Sequence, residues 1–85
     1  MEIVFTDKAV DDLKAWRKTG NKQVQKRISQ LLESIQNTPL HGIGKPELLK
    51  HELTGKWSRR ITQEHRMVYE VEVHRVVIIS LMHHY

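Results

Sequence analysis

The sequence predicts an α+β fold, an N-terminal strand and a helical hairpin packed on one face of an antiparallel β-sheet. Two observations carry that prediction. Residues 7–35 place apolar side chains at helical spacing in two blocks broken by Gly20, and the region after residue 50 holds three short runs rich in β-branched and aromatic residues with brief spacers. At 85 residues the chain is long enough for one compact domain, 1–85, and too short for two.

Glu2–Phe5 reads as a strand. Thr6 stands where an N-cap belongs, with acidic Asp7 in the first turn that follows. Ala9, Val10, Leu13 and Trp16 then recur as on one helical face, and Gly20 ends the helix. Asn21 can cap a second helix whose Val24, Ile28, Leu31, Leu32 and Ile35 keep the same period until Thr38 and Pro39 stop it. Residues 40–46, with two glycines and a proline, read as an irregular loop. Residues 51–53 turn at Thr54 and Gly55 into 57–62, followed by 66–73 and 76–82, all as antiparallel neighbours. In the middle run Met67, Tyr69, Val71 and Val73 alternate with Arg66, Val68, Glu70 and Glu72, so the helices are expected on the first face and a basic surface on the second.

The formal charge of +4 favours an anionic partner such as nucleic acid or an acidic protein. Without cysteine there is no disulfide, thiolate metal site or cysteine nucleophile. Residues 1–5 resemble a strand rather than a secretory signal, and no apolar run approaches the ~20 residues of a membrane span, so a soluble, cytoplasmic protein is expected. His41, His51, His65 and His74 lack the helical pairing or carboxylate neighbours of a zinc site, and no metal or other cofactor is expected.

Between residues 45 and 66, Lys45, Lys50, Lys56, Arg59, Arg60 and Arg66 outnumber Glu47, Glu52 and Glu64 by three. Such a face could hold phosphates, although solvated surface residues would give the same count. Glu47 stands out because it sits among glycine and proline between Lys45 and Lys50. Metal-free RNA cleavage needs a base for the 2′-hydroxyl, a cation for charge building on phosphorus and an acid for the leaving 5′-oxygen. Glu47, Arg66 and His84 are of those three types, and the product of such a cut is a 2′,3′-cyclic phosphate. Tyr85 offers a ring on which a base could stack. Strand alternation admits only one of His83 and His84 to a site. Trp16 belongs to the apolar helix stripe, whereas Trp57 could serve the core or a nucleobase.

The ordered set Gly44-Lys45-Pro46-Glu47-Leu48-Leu49-Lys50-His51, Leu53-Thr54-Gly55, Trp57-Ser58-Arg59-Arg60-Ile61, Glu64-His65-Arg66, Val68-Tyr69 and His83-His84-Tyr85 resembles the YoeB toxins of the RelE/ParE superfamily. The resemblance implies a microbial-ribonuclease-like fold and an endoribonuclease that cuts mRNA in the aminoacyl site of the bacterial ribosome. It lays the general base on Glu47, the transition-state arginine on Arg66, the general acid on His84 and the C-terminal tyrosine on Tyr85. Lys50 and Arg60 match positions that contact phosphate or orient the scissile group, and Lys45 and Arg59 share their basic surroundings. The family pattern has proline where this chain has Leu48, and His83 is a second departure. Also implied are a YefM-like antitoxin, a toxin homodimer, and operator DNA bound only through the antitoxin complex. The competing readings are a ParE-like toxin that arrests DNA gyrase without cutting RNA, and a basic nucleic-acid-binding module without activity.

Overall fold

A computed structural model describes residues 1–82; His83, His84 and Tyr85 lie outside the described residues. Within that span the elements run β1 (Glu2–Phe5), α1 (Asp7–Thr19), α2 (Lys22–Asn37), β2 (Glu47–Leu48), β3 (Trp57–Arg60), β4 (Arg66–Val71) and β5 (Arg75–Ser80), with a short 3₁₀ turn at His51–Leu53.

Local chemistry accounts for the helix boundaries. The Thr6 side chain accepts a hydrogen bond from the Ala9 N–H at 3.1 Å and Asn21 accepts one from Val24 N–H at 3.1 Å, so each helix starts with one orphan donor satisfied. Gly20 takes the left-handed conformation (φ 70°) and donates its N–H to the Arg17 carbonyl, closing α1 where a side chain would be strained.

The strands form one five-stranded sheet in the order β1-β5-β4-β3-β2. β2 to β5 pair antiparallel, but β1 runs parallel to β5, with Ile3 opposite Val76 and Phe5 opposite Ile78. The sheet is therefore mixed, which corrects the purely antiparallel expectation. Its cause is topological: β1 leaves the sheet into the helical hairpin, and β5 returns beside it from the opposite end of the chain.

One face of this sheet receives the hairpin. Ala9, Trp16, Val24, Ile28, Leu31 and Ile35 pack with Met67, Tyr69, Val76, Ile78 and Leu81. Burying each large apolar side chain contributes about 1.5–3 kcal/mol, which helices this short need because they are marginal alone. Trp16 also donates its indole N–H to the Leu81 carbonyl at 2.8 Å, while Leu81 N–H bonds Asp12 at 2.9 Å. Helix α1 thus grips both backbone groups of the residue just past β5.

Four other details differ from the sequence reading. Val10 is exposed at the edge of the helix stripe. β4 stops at Val71, and Val73 is 85% exposed in the turn to β5, where Glu72 N–H bonds the Arg75 carbonyl. Residues 51–53 are a 3₁₀ turn, with His51 at φ 61°. Finally, Glu47 opens a short edge strand instead of lying in an unpaired loop.

Candidate functional site

The two faces of β3 and β4 sort the polar residues. Pairing places Glu47 opposite Ser58, Ser58 opposite Val68 and Arg60 opposite Arg66. Side chains directly opposite share a face, so Glu47, Ser58, Arg60 and Arg66 all belong to the face without helices. There the Arg66 guanidinium donates to Glu47 Oε2 at 3.2 Å through Nη2 and to Ser58 Oγ at 3.0 Å through Nε. Ser58 is buried, Arg66 has only 16% of its side chain exposed, and Glu47 is 66% exposed. The arginine is thus held by a fixed hydroxyl, while the carboxylate it meets is open to solvent. Ser58 escaped the sequence reading; its signal was its alternation with Trp57 and Arg59 on the strand facing Arg66.

The loop leading to Glu47 is held from both sides. Arg60 N–H bonds the Gly44 carbonyl at 2.7 Å, and Leu49 N–H bonds the Lys56 carbonyl at 2.8 Å, bracketing β2. Gly44 has φ 84°, and a Cβ there would come within 2.6 Å of Leu31 and 3.1 Å of Arg59, so the close approach of this loop to α2 requires glycine. Lys45 follows with φ 52°. Lys45, Lys50 and Arg60 are exposed, and Lys50 lines with Glu47 a hollow of about 460 Å³ formed by residues 47–53.

Arg59 does not belong to this group, which corrects its expected place on the basic face. Its side chain is fully buried on the helix side, with every N–H donor engaged. Nε bonds the Tyr69 hydroxyl at 3.0 Å; Nη1 bonds Ser34 Oγ at 2.7 Å and the Ile43 carbonyl at 3.2 Å; Nη2 bonds the carbonyls of Thr38 at 2.7 Å and His41 at 3.0 Å. The guanidinium carbon also lies 5.7 Å from the Tyr69 ring centre. Tyr69 in turn donates to the Pro39 carbonyl at 2.9 Å, and burial pushes its hydroxyl pKa above the usual value, opposed by the Arg59 hydrogen bond and charge. Arg59 therefore ties residues 38–43 to the sheet and has no free donor for a phosphate.

The open face is also less uniformly basic than expected. Its charged end is the β2–β4 side, whereas toward β1 and β5 the paired Val4 and Val77 are half-buried and Val68 is fully buried. Trp57 sits opposite Tyr69 and packs against the core. Among the described residues no group of three His, Asp or Glu side chains is placed to hold a metal ion, and no helix is long and apolar enough to cross a membrane.

Comparison with known proteins places this geometry among relatives. Residues 5–85 match the family model of the YoeB-like toxins of bacterial type II toxin-antitoxin systems. Toxin YoeB of Escherichia coli K12 is 42% identical over 85 residues, covering all of both chains. Toxin YoeB of Synechocystis sp. PCC 6803 is 45% identical over 85 residues, covering all of this chain and 98% of the relative. Among solved structures, the YoeB/ParE toxin from Agrobacterium tumefaciens superposes with a TM-score of 0.94 at 40% identity over the whole of both chains. A YoeB dimer from Staphylococcus aureus superposes at 0.89 with 44% identity, covering all of this chain and 98% of the other, and the YoeB-YefM heterotetramer from the same organism at 0.88 with 44% identity and the same coverage.

Proposed function

From the premise that the chain belongs to the YoeB-like toxins of type II toxin-antitoxin systems, we propose that it is a ribosome-dependent, metal-independent endoribonuclease that cuts mRNA in the aminoacyl site and so stops translation. The observation that carries this reading is the contact of Glu47 with Arg66 at 3.2 Å on the face left open by the helices. A carboxylate and a guanidinium that close can address the two sides of one phosphodiester.

Glu47 takes the proton of the 2′-hydroxyl, and the 2′-oxygen attacks the adjacent phosphorus. Arg66, aimed by Ser58, stabilises the negative charge that grows on the phosphoryl oxygens, a preorganised role in which no donor has to reorient. The bond from phosphorus to the 5′-oxygen breaks, and His84 supplies the proton that the leaving oxygen requires, leaving a 2′,3′-cyclic phosphate and a 5′-hydroxyl. His84 and Tyr85 enter through the family pattern, with Tyr85 as a stacking partner for the exposed base. Lys45, Lys50 and Arg60 hold flanking phosphates; Arg59 serves the site indirectly, by fixing residues 38–43.

So small a chain has little surface with which to orient a flexible strand, and orientation carries much of the barrier. The ribosome supplies that orientation in this reading. A YefM-like antitoxin, of the kind seen with the Staphylococcus aureus toxin, neutralises it by covering the Glu47–Arg66 end of the open face with carboxylates, and the toxin forms a homodimer, as its Staphylococcus aureus relative does.

The deciding experiment incubates purified protein with ribosomes translating a defined message in excess chelator. A cut within the aminoacyl site that ends in a cyclic phosphate supports the proposal. Arrest of DNA gyrase without a cut, retention on RNA without a cut, or a 3′-hydroxyl product would overturn it.

A further inference from the structure

The positive charge of this chain is concentrated away from Glu47 and Arg66. Residues 14–27 hold six of the fourteen Lys and Arg side chains and no Asp or Glu, leaving eight basic against ten acidic residues elsewhere. These six lie around the turn between α1 and α2. Lys14, Arg17, Lys18, Lys22 and Lys26 are exposed, and none takes part in an ion pair among the described residues. The arrangement works against the fold. Lys14 with Lys18 and Lys22 with Lys26 are like charges four residues apart on one helix face, and Lys22 occupies the first turn of α2, where the helix dipole favours an acid and none is present. An anionic partner relieves both penalties.

A groove adjoins this pole. It encloses about 400 Å³ beside α2, with Gln23, Lys26, Arg27, Gln30 and Thr62 as its polar lining and Val24 and Ile61 as its apolar lining. Arg27 Nη2 reaches the Arg60 carbonyl at 3.5 Å, so the groove abuts the end of β3. We propose that residues 14–27 and this groove form a second docking surface, one that takes the sugar–phosphate backbone of a base-paired RNA. The inference deepens the function proposed above, in which the ribosome would present such RNA.

Three features favour this occupant. Cations beside amides and a hydroxyl match phosphates beside 2′-hydroxyls, the groups through which duplex RNA is recognised. None of the exposed large hydrophobic residues, Met1, Val10, Leu40, Ile43, Leu48 and Val73, falls within 14–27, and Val24 and Ile61 in the groove are each only 6% exposed; a protein partner would need projecting apolar anchors that this surface lacks. Cations borne on two helices, apart from the open sheet face, suit a rigid body with phosphates on two ridges better than one strand threaded past Glu47.

The test uses the full chain carrying Glu47→Gln, titrated with a blunt RNA duplex, a single-stranded RNA and polyglutamate. Adding Lys22→Gln and Lys26→Gln should weaken duplex binding about 10-fold and lower the salt slope by roughly two, as expected for two lost phosphate contacts. Lys14→Gln with Lys18→Gln provides a second, independent pair, and an unchanged melting temperature certifies the fold of each variant. In the active chain either pair should raise KM for ribosomes and leave kcat in place. The duplex titration does not require cleavage, so a protein that binds duplex here yet never cuts would sink the proposed function and leave this surface standing. Duplex binding untouched by both pairs, or a loss seen only with polyglutamate or single-stranded RNA, would overturn the inference.

Discussion

Arg59 and Arg66 lie on neighbouring strands, one residue out of register, and meet opposite fates. Arg59, opposite Met67, faces the helices, is fully buried and spends its donors on one tyrosine, one serine and three carbonyls. Arg66, opposite Arg60, faces the open side and spends two donors on Ser58 and Glu47. A buried guanidinium must satisfy its donors within the protein, since an unpaired one leaves a desolvated charge. The same side chain on the open face can be aimed by one fixed partner and still present its charge to a ligand. Strand parity decides between scaffold and site.

The largest effect that would break this comparison is Arg59→Met, which takes a donor from acceptors on residues 34, 38, 41, 43 and 69 and leaves the His41 carbonyl with the Thr38 hydroxyl. It should cost about 3–5 kcal/mol, the scale of breaking a buried polar network. At roughly 4–8 °C per kcal/mol for a domain of this size, the melting temperature measured by circular dichroism should fall by more than ~12 °C. A fall of only a few degrees, with cleavage alone abolished, would return Arg59 to the phosphate-binding group.

On the open side the pattern should invert. Glu47→Gln should lower single-turnover cleavage by ~100-fold or more, the usual scale for loss of a general base, yet move the melting temperature little, because an exposed ion pair is worth about 0–1 kcal/mol. Arg66→Ala and His84→Ala should depress cleavage comparably, with His83→Ala as the control. Near-normal rates in any of the three would remove that residue from the mechanism.

The smallest expected effect concerns Tyr69. Its folded-state pKa is raised above the ordinary value of 10.0, so the stability it contributes is fully present below pH 10 and is lost as pH rises through the raised folded value, because the unfolded chain ionises first. A phenolate could also no longer donate to Pro39. Urea denaturation of the native protein from pH 8 to 11 should therefore show a steeper alkaline decline than Tyr69→Phe, which should itself be less stable at pH 8 by about 1–2 kcal/mol for the lost hydrogen bonds. Parallel declines in the two proteins would show that Tyr69 does not govern that limb.

Periodicity and capping residues were enough to determine both helices, their boundaries at Thr6, Gly20 and Asn21, and the core positions Trp16, Val24, Ile28, Leu31 and Ile35, because those signals act over a few residues. The ordered motif from Gly44 to Tyr85 likewise pointed to the family. The tertiary structure alone decided that β1 pairs parallel with β5 and that Glu47 enters a strand opposite Ser58, since partners 73 residues apart (Glu2 and Arg75), or joined by an irregular loop, leave no local trace. Arg59 stands between these cases. Trp57 and Ile61, two positions away on either side, share its face and pack in or against the core, but in the sequence Trp57 stood open between core and nucleobase and charge suggested solvent; what made burial possible was a ring of acceptors gathered from Ser34 to Tyr69. The cations of residues 14–27 are present in the sequence, yet the basic excess at 45–66 drew the expectation of a phosphate surface; only the folding of two helices about Gly20 and the contact of Arg27 with the end of β3 gave the 14–27 set a place, because charges on a helix acquire a common direction only once the helix is docked.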